Sequence, residues 1–534
     1  MAGKQNEESA PSPDPGDILD RLLEEGLTDG LEPDEALVRL GSLIDCSHDL
    51  RRVDGLRVAT DWVKELNRAS LSDADLARLH YFAGNAWSGL DELLHARGES
   101  TWDWERYELE QEVLNLRIAA SRVQASASPL LACQVNTNLG NALSKIGRFV
   151  EALQYWNQAL AIDSNFGMAI GNRGYGLLNY AKQLFDPGHI ALFLERCSAD
   201  LTRALRGELE PGVHEWLAPV LLEAKAAAQR LGLPEETLFH EHSLGDSSAE
   251  VSYREWCLRH CLFINPLNDL GEHSIAAADV LHLPTMVLGI NESPSLLGFF
   301  NQLKQEFVSA RYMYYEGLMA YEPHYSDRQV TQINTLDYPA YSLAVERVKA
   351  SFRAAYSILD KLAFFLNDYL SLGIPGHRTS LKSFWFKKQN RENGLRAAFV
   401  DRPNWPMRGL YWLSKDLAED RLGFKDAMSP DAQGIAVVRN HLEHRYLKLH
   451  EESWADFKAS EDLASGFSMD TMARSLNRDE FESKTLWLLR LARAGLIYTS
   501  LALHVEEQRR SEERDPNEIL GPMISDRWDD DWKT

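Results

Sequence analysis

The chain is poor in cysteine: Cys46, Cys133, Cys197, Cys257 and Cys261 are odd in number and far apart in 534 residues. That excludes a disulfide scaffold and predicts reduced thiols and a cytoplasmic protein. No apolar run reads as long enough to span a membrane, and the opening MAGKQNEESAPSPDPGD lacks the apolar centre of a signal peptide. Positive charge is scarce as well. With 56 Lys and Arg against 80 Asp and Glu the net charge is −24, which excludes general coating of nucleic acid and leaves only a local basic surface for that purpose. There is no G-x-x-x-x-G-K-[ST] loop, no G-x-G-x-x-G after a strand and no G-x-S-x-G elbow. Nucleotide hydrolysis, dinucleotide redox chemistry and serine hydrolysis therefore lack their signatures, and no cofactor is expected.

What is present is helix. A composition of 44% hydrophobic and 25% charged residues is that of an ordinary globular protein, and the length allows about two to four domains. The pattern predicts an all-α fold. Residues 1–16 are rich in Pro, Ser, Glu and Asp and read as a disordered tail. Residues 17–205 are nearly continuous helical pattern with short breaks. Their clearest unit is NTNLGNALSKIGRFVEALQYWNQALAIDSNF, from Asn136 to Phe166. Leu139, Gly140, Ala152, Trp156 and Ala159 stand where small residues let two helices approach and an aromatic fills the gap to the next pair. This text resembles a tetratricopeptide repeat, with Asn136 and Ser164 replacing that family's early aromatic and late proline. Gly174 follows Gly140 at the repeat's period, and Gly84-Asn85-Ala86 echoes Gly140-Asn141-Ala142 if an insertion lies near Leu90–Trp104. The resemblance implies a solenoid whose concave face takes a protein or peptide partner; a helical array with only structural duties is the alternative.

Residues 206–295 are expected to be a helical linker. Val213–Leu231 reads as a helix, Pro234 and Gly245 mark breaks, and Tyr253–His273 reads as a helix ending in a buried turn at Asn265-Pro266-Leu267-Asn268-Asp269. Residues 296–508 carry long helices again, at Leu296–Tyr321, Tyr338–Leu372, Ser429–His450 and Glu480–Glu507. An acidic tail, 509–534, closes the chain.

Residues 376–415 depart from this pattern. Arg378, Lys382, Lys387, Lys388, Arg391, Arg396, Arg402, Arg408 and Lys415 face only Glu392 and Asp401, and Phe384, Trp385, Phe386, Phe399, Trp405, Tyr411 and Trp412 are interleaved. Cations for phosphates beside rings for unstacked bases are the chemistry of single-strand recognition. Lys382, Trp385, Lys387, Lys388, Arg391 and Arg396 are the candidate RNA contacts. The alternative is an insertion that packs its rings inward and leaves its lysines in water.

The stretch SPDAQGIAVVRNHLEHRYLKLH, Ser429–His450, starts with Ser429-Pro430-Asp431, a strong helix start. Ile435, Val438, Leu442, Tyr446 and Leu449 recur at helical spacing as one apolar stripe. Arg439 lies at its edge, with Asn440 and His444 on the far side. Arg439-Asn440-x3-His444-x-Tyr446 resembles the R-x4-6-H signature of HEPN-family ribonucleases. The resemblance implies a C-terminal helical bundle that pairs with a second copy and cuts RNA without a metal, in toxin or antiviral defence systems. Arg439, Asn440 and His444 are then the catalytic candidates. Histidine suits proton abstraction from a ribose 2′-OH, and arginine suits a phosphate that gains charge. In toxins with this motif the tyrosine is a modification target, which makes Tyr446 a regulatory candidate. His444 should point about 180° from the stripe's centre, and Leu447, on that outer flank, suggests a face covered by a second copy. The plain rival is a solvated helix exterior with Arg439 paired to Glu443.

Zinc sites at His441/His444/His450, or at His240, His242, Cys257, His260 and Cys261, lack a completing ligand set, and no metal is expected. Two readings compete with catalysis. The bundle is a dimerising scaffold for the repeats, or it binds RNA or a nucleotide without turnover.

Overall fold

A computed structural model describes residues 14–27, 31–66, 71–95, 103–124, 126–207, 209, 212–232, 241–289, 292–335, 337–400, 402–417, 434–451, 472–515, 530 and 533. Among the described residues the chain is 16 α-helices with one two-stranded sheet. The predicted all-α class is the observed one. Helices α1 (Pro15–Glu25), α2 (Pro33–Asp49), α3 (Val53–Leu66) and α4 (Asp73–His95) close around their own core, which includes Leu37, Leu40, Leu56 and Leu79. Proline opens α1 and α2, where its missing N–H costs nothing.

Then follow α5 (Tyr107–Arg122), α6 (Pro129–Lys145), α7 (Phe149–Ile162), α8 (Gly167–Ala181), α9 (Pro187–Ala204) and α10 (Val213–Arg230), each packed on the one before. Trp156 of α7 explains the spacing. A Cβ at Gly140 on α6 would stand 2.6 Å from its indole nitrogen, and one at Gly176 on α8 would strike the far edge of the ring. The indole N–H donates to Asn141 Oδ1 at 3.0 Å. Leu90–His95, part of the expected insertion, continue α4 instead; 96–102 lie outside the described residues. Asp186-Pro187-Gly188, where the repeat text fades, opens α9 with the Asp186 carboxylate accepting from the His189 N–H at 2.9 Å.

The remainder is α11 (Ser248–Arg259), α12 (Ser295–Leu318), α13 (Leu343–Tyr369), α14 (Trp405–Lys415), α15 (Ile435–His444), β1 (Tyr446–His450), β2 (Ala473–Asn477) and α16 (Arg478–Glu513). Helix α13 packs on α12, and both α13 and α14 pack on α16. The buried turn after α11 is a short 3-10 segment, Pro266–Leu270. Arg493 of α16 enters it, donating to the carboxylate of Asp269 at 2.6 Å and to the carbonyl of Asn265 at 2.8 Å. Helix α16 runs past the expected domain end at 508. It is also long and apolar enough, by length and composition, to cross a membrane, which the sequence reading missed. Yet 83% of its apolar window is buried inside the fold, as befits a helix that is apolar all round at the centre of a bundle.

One hydrophobic core runs from Trp104 to Leu503 without a break. Helices α5–α10 and the C-terminal bundle therefore share an interior. They approach closely at two glycines. Gly147, between α6 and α7, has φ +87°. A Cβ there would meet the Trp405 carbonyl and stand 2.8 Å from the Gly409 nitrogen, and a Cβ at Gly409 would strike the Gly147 carbonyl.

Candidate active site

Ser429-Pro430-Asp431 lie outside the described residues. The described helix α15 follows Gly434, in the left-handed region at φ +81°, and stops at His444. Arg445 leaves the helix (φ −138°, ψ −140°), and Tyr446–His450 is β1, paired in parallel with β2 so that Tyr446 faces Ala473 and His450 faces Asn477. The helix expected to reach His450 is thus too long. Tyr446 and Leu449 satisfy a helix's period, and Leu447 and Leu449 a strand's. Pairing with a segment far along the chain, plus a 2.7 Å bond from the Ala340 N–H to the Leu449 carbonyl, selects the strand. Two inferences fall with it. Tyr446 is not in a core stripe but 39% exposed, and Leu447 is buried at 5%, so it marks no outer surface for a second copy.

The motif residues themselves are well placed. Asn440 and His444 are exposed, one turn apart, and Arg439 is half-buried. The Arg439 guanidinium lies 5.3 Å from the centre of the Tyr356 ring and donates to Asn440 Oδ1 at 3.3 Å. Glu443, the partner Arg439 would have on a plain solvated helix, instead lies 3.6 Å from Arg353. Arg353 also donates to the Leu442 carbonyl at 2.9 Å, a cation on the free carbonyls at the end of α15.

Helix α13 therefore grips α15 with Arg353 and Tyr356, and Asp360 follows one turn on. This face was legible only as polar residues at helical spacing inside an apolar stripe, and the sequence reading passed over it. Lys382 lies 5.9 Å from the same Tyr356 ring. Burial pushes the Asp360 carboxyl up, while Lys382, Arg439 and the Leu381 backbone N–H pull it back. Two predicted site residues from separate segments, Arg439 and Lys382, are thus brought together.

The rest of the basic segment is different from what its composition suggests. Trp385 is fully buried. Its N–H donates to the Leu381 carbonyl at 2.7 Å, and its ring meets Phe399 at 5.0 Å and Tyr411 at 5.3 Å. It cannot stack on a base, and Phe384, Phe386, Phe399, Tyr411 and Trp412 are buried with it. Arg391 pairs with Glu105 and Glu110 at 3.2 and 3.1 Å. Lys415, fully buried, pairs with Glu110, and Arg402 lies 3.6 Å from Glu506. Arg408 is buried against the Lys145 carbonyl at 3.0 Å, and burial draws its guanidinium down to about 10. Much of the local positive excess is therefore spent on acids of α5 and α16, which fixes the segment against the N-terminal helices. Arg396 donates to the Phe384 carbonyl at 2.9 Å. Lys387 and Lys388 are exposed.

The histidines of the rejected zinc readings have ordinary surroundings. His441 Nδ1 meets the Val437 carbonyl at 2.7 Å, and His450, buried, meets Ser475 Oγ at 3.2 Å. Burial pushes the Cys257 thiol up to about 11; His240 lies outside the described residues. Asp91, His95 and Glu108 do bring potential ligand atoms within 4.8 Å of one another. Arg106 already holds Asp91 at 3.2 Å, and His95 meets Glu108 at 3.3 Å. Between α6, α8 and α10 a cavity of about 490 Å³ is lined by amides and rings, among them Asn141, Asn172, Asn179, Tyr175 and Trp216, with Trp405 of α14 at its edge.

Residues 287–506 match the model of the LA2681-like HEPN family. The C-terminal region is a HEPN domain. The match spans α12–α15 and most of α16, starting a little before the boundary expected at 296. HEPN domains are often ribonucleases of toxin and defence systems. No curated protein and no solved structure matches the chain.

Proposed function

We propose that the chain is a metal-independent endoribonuclease with a toxin or antiviral defence role, its TPR-like helices binding a protein or peptide partner. The observation that carries this reading is the arrangement on α15 of the HEPN domain. His444 is open to solvent beside Asn440, and Arg439 is held by Tyr356 next to a second cation. His444 takes the proton of a ribose 2′-OH as that oxygen attacks the phosphorus. Arg439 balances the charge that grows on the phosphate oxygens, and the bond to the 5′ oxygen breaks as that oxygen takes a proton from the His444 imidazolium or from water, leaving a 2′,3′-cyclic phosphate. Asn440 orients the imidazole or the phosphate. Lys387 and Lys388, exposed, supply further phosphate contacts, whereas Trp385 supplies structure only.

A second copy completes the site in this reading. Val437 is 40% exposed and falls on the same outward face as Asn440 and His444, so an apolar residue borders the cleft where Leu447 does not. The amides and rings of the cavity beside α8 support a partner site on the array, each amide offering both a donor and an acceptor to an extended chain.

The test is incubation of the purified chain with total RNA in EDTA, beside Arg439→Ala and His444→Ala. Cutting by the wild type that is lost in both variants is expected. Binding without cutting would instead make the bundle a regulatory RNA-binding module, and neither binding nor cutting would make it a scaffold.

A further inference from the structure

We propose that Lys382 is the second phosphate-binding cation of the Arg439–His444 site; this rests on the ribonuclease reading above. Lys382 reaches the site from the segment after α13, far from the motif in sequence. Its ammonium and the Arg439 guanidinium lie 5.9 and 5.3 Å from the centre of one ring, that of Tyr356. Asp360 is one turn further along α13, and both cations pull its carboxyl back down against the effect of burial.

The chemistry asks for this pair. A phosphodiester carries one negative charge and gains a second as the 2′ oxygen adds, so one guanidinium leaves charge uncompensated in the transition state. An ammonium placed close by supplies the difference, and a preorganised cation costs no rearrangement as the charge grows. Arginine gives a planar fork for two oxygens, lysine a compact point charge. Of the nine bases in residues 376–415, Arg391, Arg402 and Lys415 are held by acids and Arg408 is buried. Lys382, half-exposed, is the one set beside the partner ring of Arg439.

The test uses the full chain, a single-stranded RNA of mixed sequence, and the same RNA fully 2′-O-methylated, which binds but has no free hydroxyl to attack. Lys382→Ala should lower kcat about 10²-fold, the scale for losing one transition-state donor. It should weaken binding of the methylated RNA only several-fold, and Lys382→Arg should recover part of the rate. Wild-type kcat in Lys382→Ala, with Arg439→Ala inactive, overturns the role of Lys382 and leaves the ribonuclease standing. Cleavage that survives both Arg439→Ala and His444→Ala overturns the ribonuclease reading instead.

Discussion

Arg117 on α5 and Asp416, just past the end of α14, form a two-pronged ion pair at 2.7 and 3.1 Å, sealed from solvent. Arg148, at the start of α7, binds the same carboxylate. A single acid thus ties two N-terminal helices to the end of α14. Asp416→Ala removes the carboxylate that Arg117 and Arg148 share, Arg148 keeping Glu151, and should cost about 3–5 kcal/mol of stability. The double change Asp416→Leu, Arg117→Met, which leaves Arg148 on Glu151, should recover most of that, since apolar replacements remove the desolvation cost together with the attraction. Urea unfolding of the set decides it; equal stability of wild type and Asp416→Ala would mean the pair contributes nothing.

Gly147 and Gly409 make a second prediction at the same junction. A methyl group on Gly409 strikes the Gly147 carbonyl, a backbone atom that cannot rotate aside. Gly409→Ala should cost about 1–3 kcal/mol by overpacking, and Gly147→Ala should cost more because φ is +87° there. The midpoint of thermal unfolding measures both. An alanine tolerated at both positions would show that the two regions are less tightly joined than described.

Trp385 offers a direct contrast between a binding and a packing role. Its ring is fully buried, so Trp385→Ala should destabilise by about 3–5 kcal/mol. RNA affinity per folded molecule, read by titration well below the unfolding temperature, should not change. A loss of affinity without a loss of stability would restore the stacking role.

His260 predicts a pH dependence. Burial, with Arg490 and Arg259 nearby, pulls its imidazole down to about 4 from an ordinary 6.5. The folded state binds this proton less readily than the unfolded chain, so protonation favours unfolding. The contribution is whole above about pH 6.5 and is lost as the pH falls toward about 4. His260→Gln keeps an acceptor for Arg490 but cannot take a proton. Relative to wild type it should gain stability between pH 7 and pH 4.5; parallel curves would remove His260 as a source of acid sensitivity.

Local chemistry determined more of this protein than its topology would suggest. Trp156 set against Gly140 and the apolar periods behind α12, α13 and α16 were readable because each depends on residues within a few turns. Arg439, Asn440 and His444 were readable for the same reason, as a short pattern on one helix.

Tertiary structure decided the rest. Tyr446–His450 fits a helix or a strand equally well by its own period, and pairing with Ala473–Asn477 settled the matter. Trp385 and its neighbouring cations look like an RNA surface until α5 supplies the acids and Trp104 the packing partner that turn them inward. Lys382 and Arg439 share no local signal. Only the folded chain lays both against Tyr356, because a wide apolar helix must bury its face and carries that ring with it.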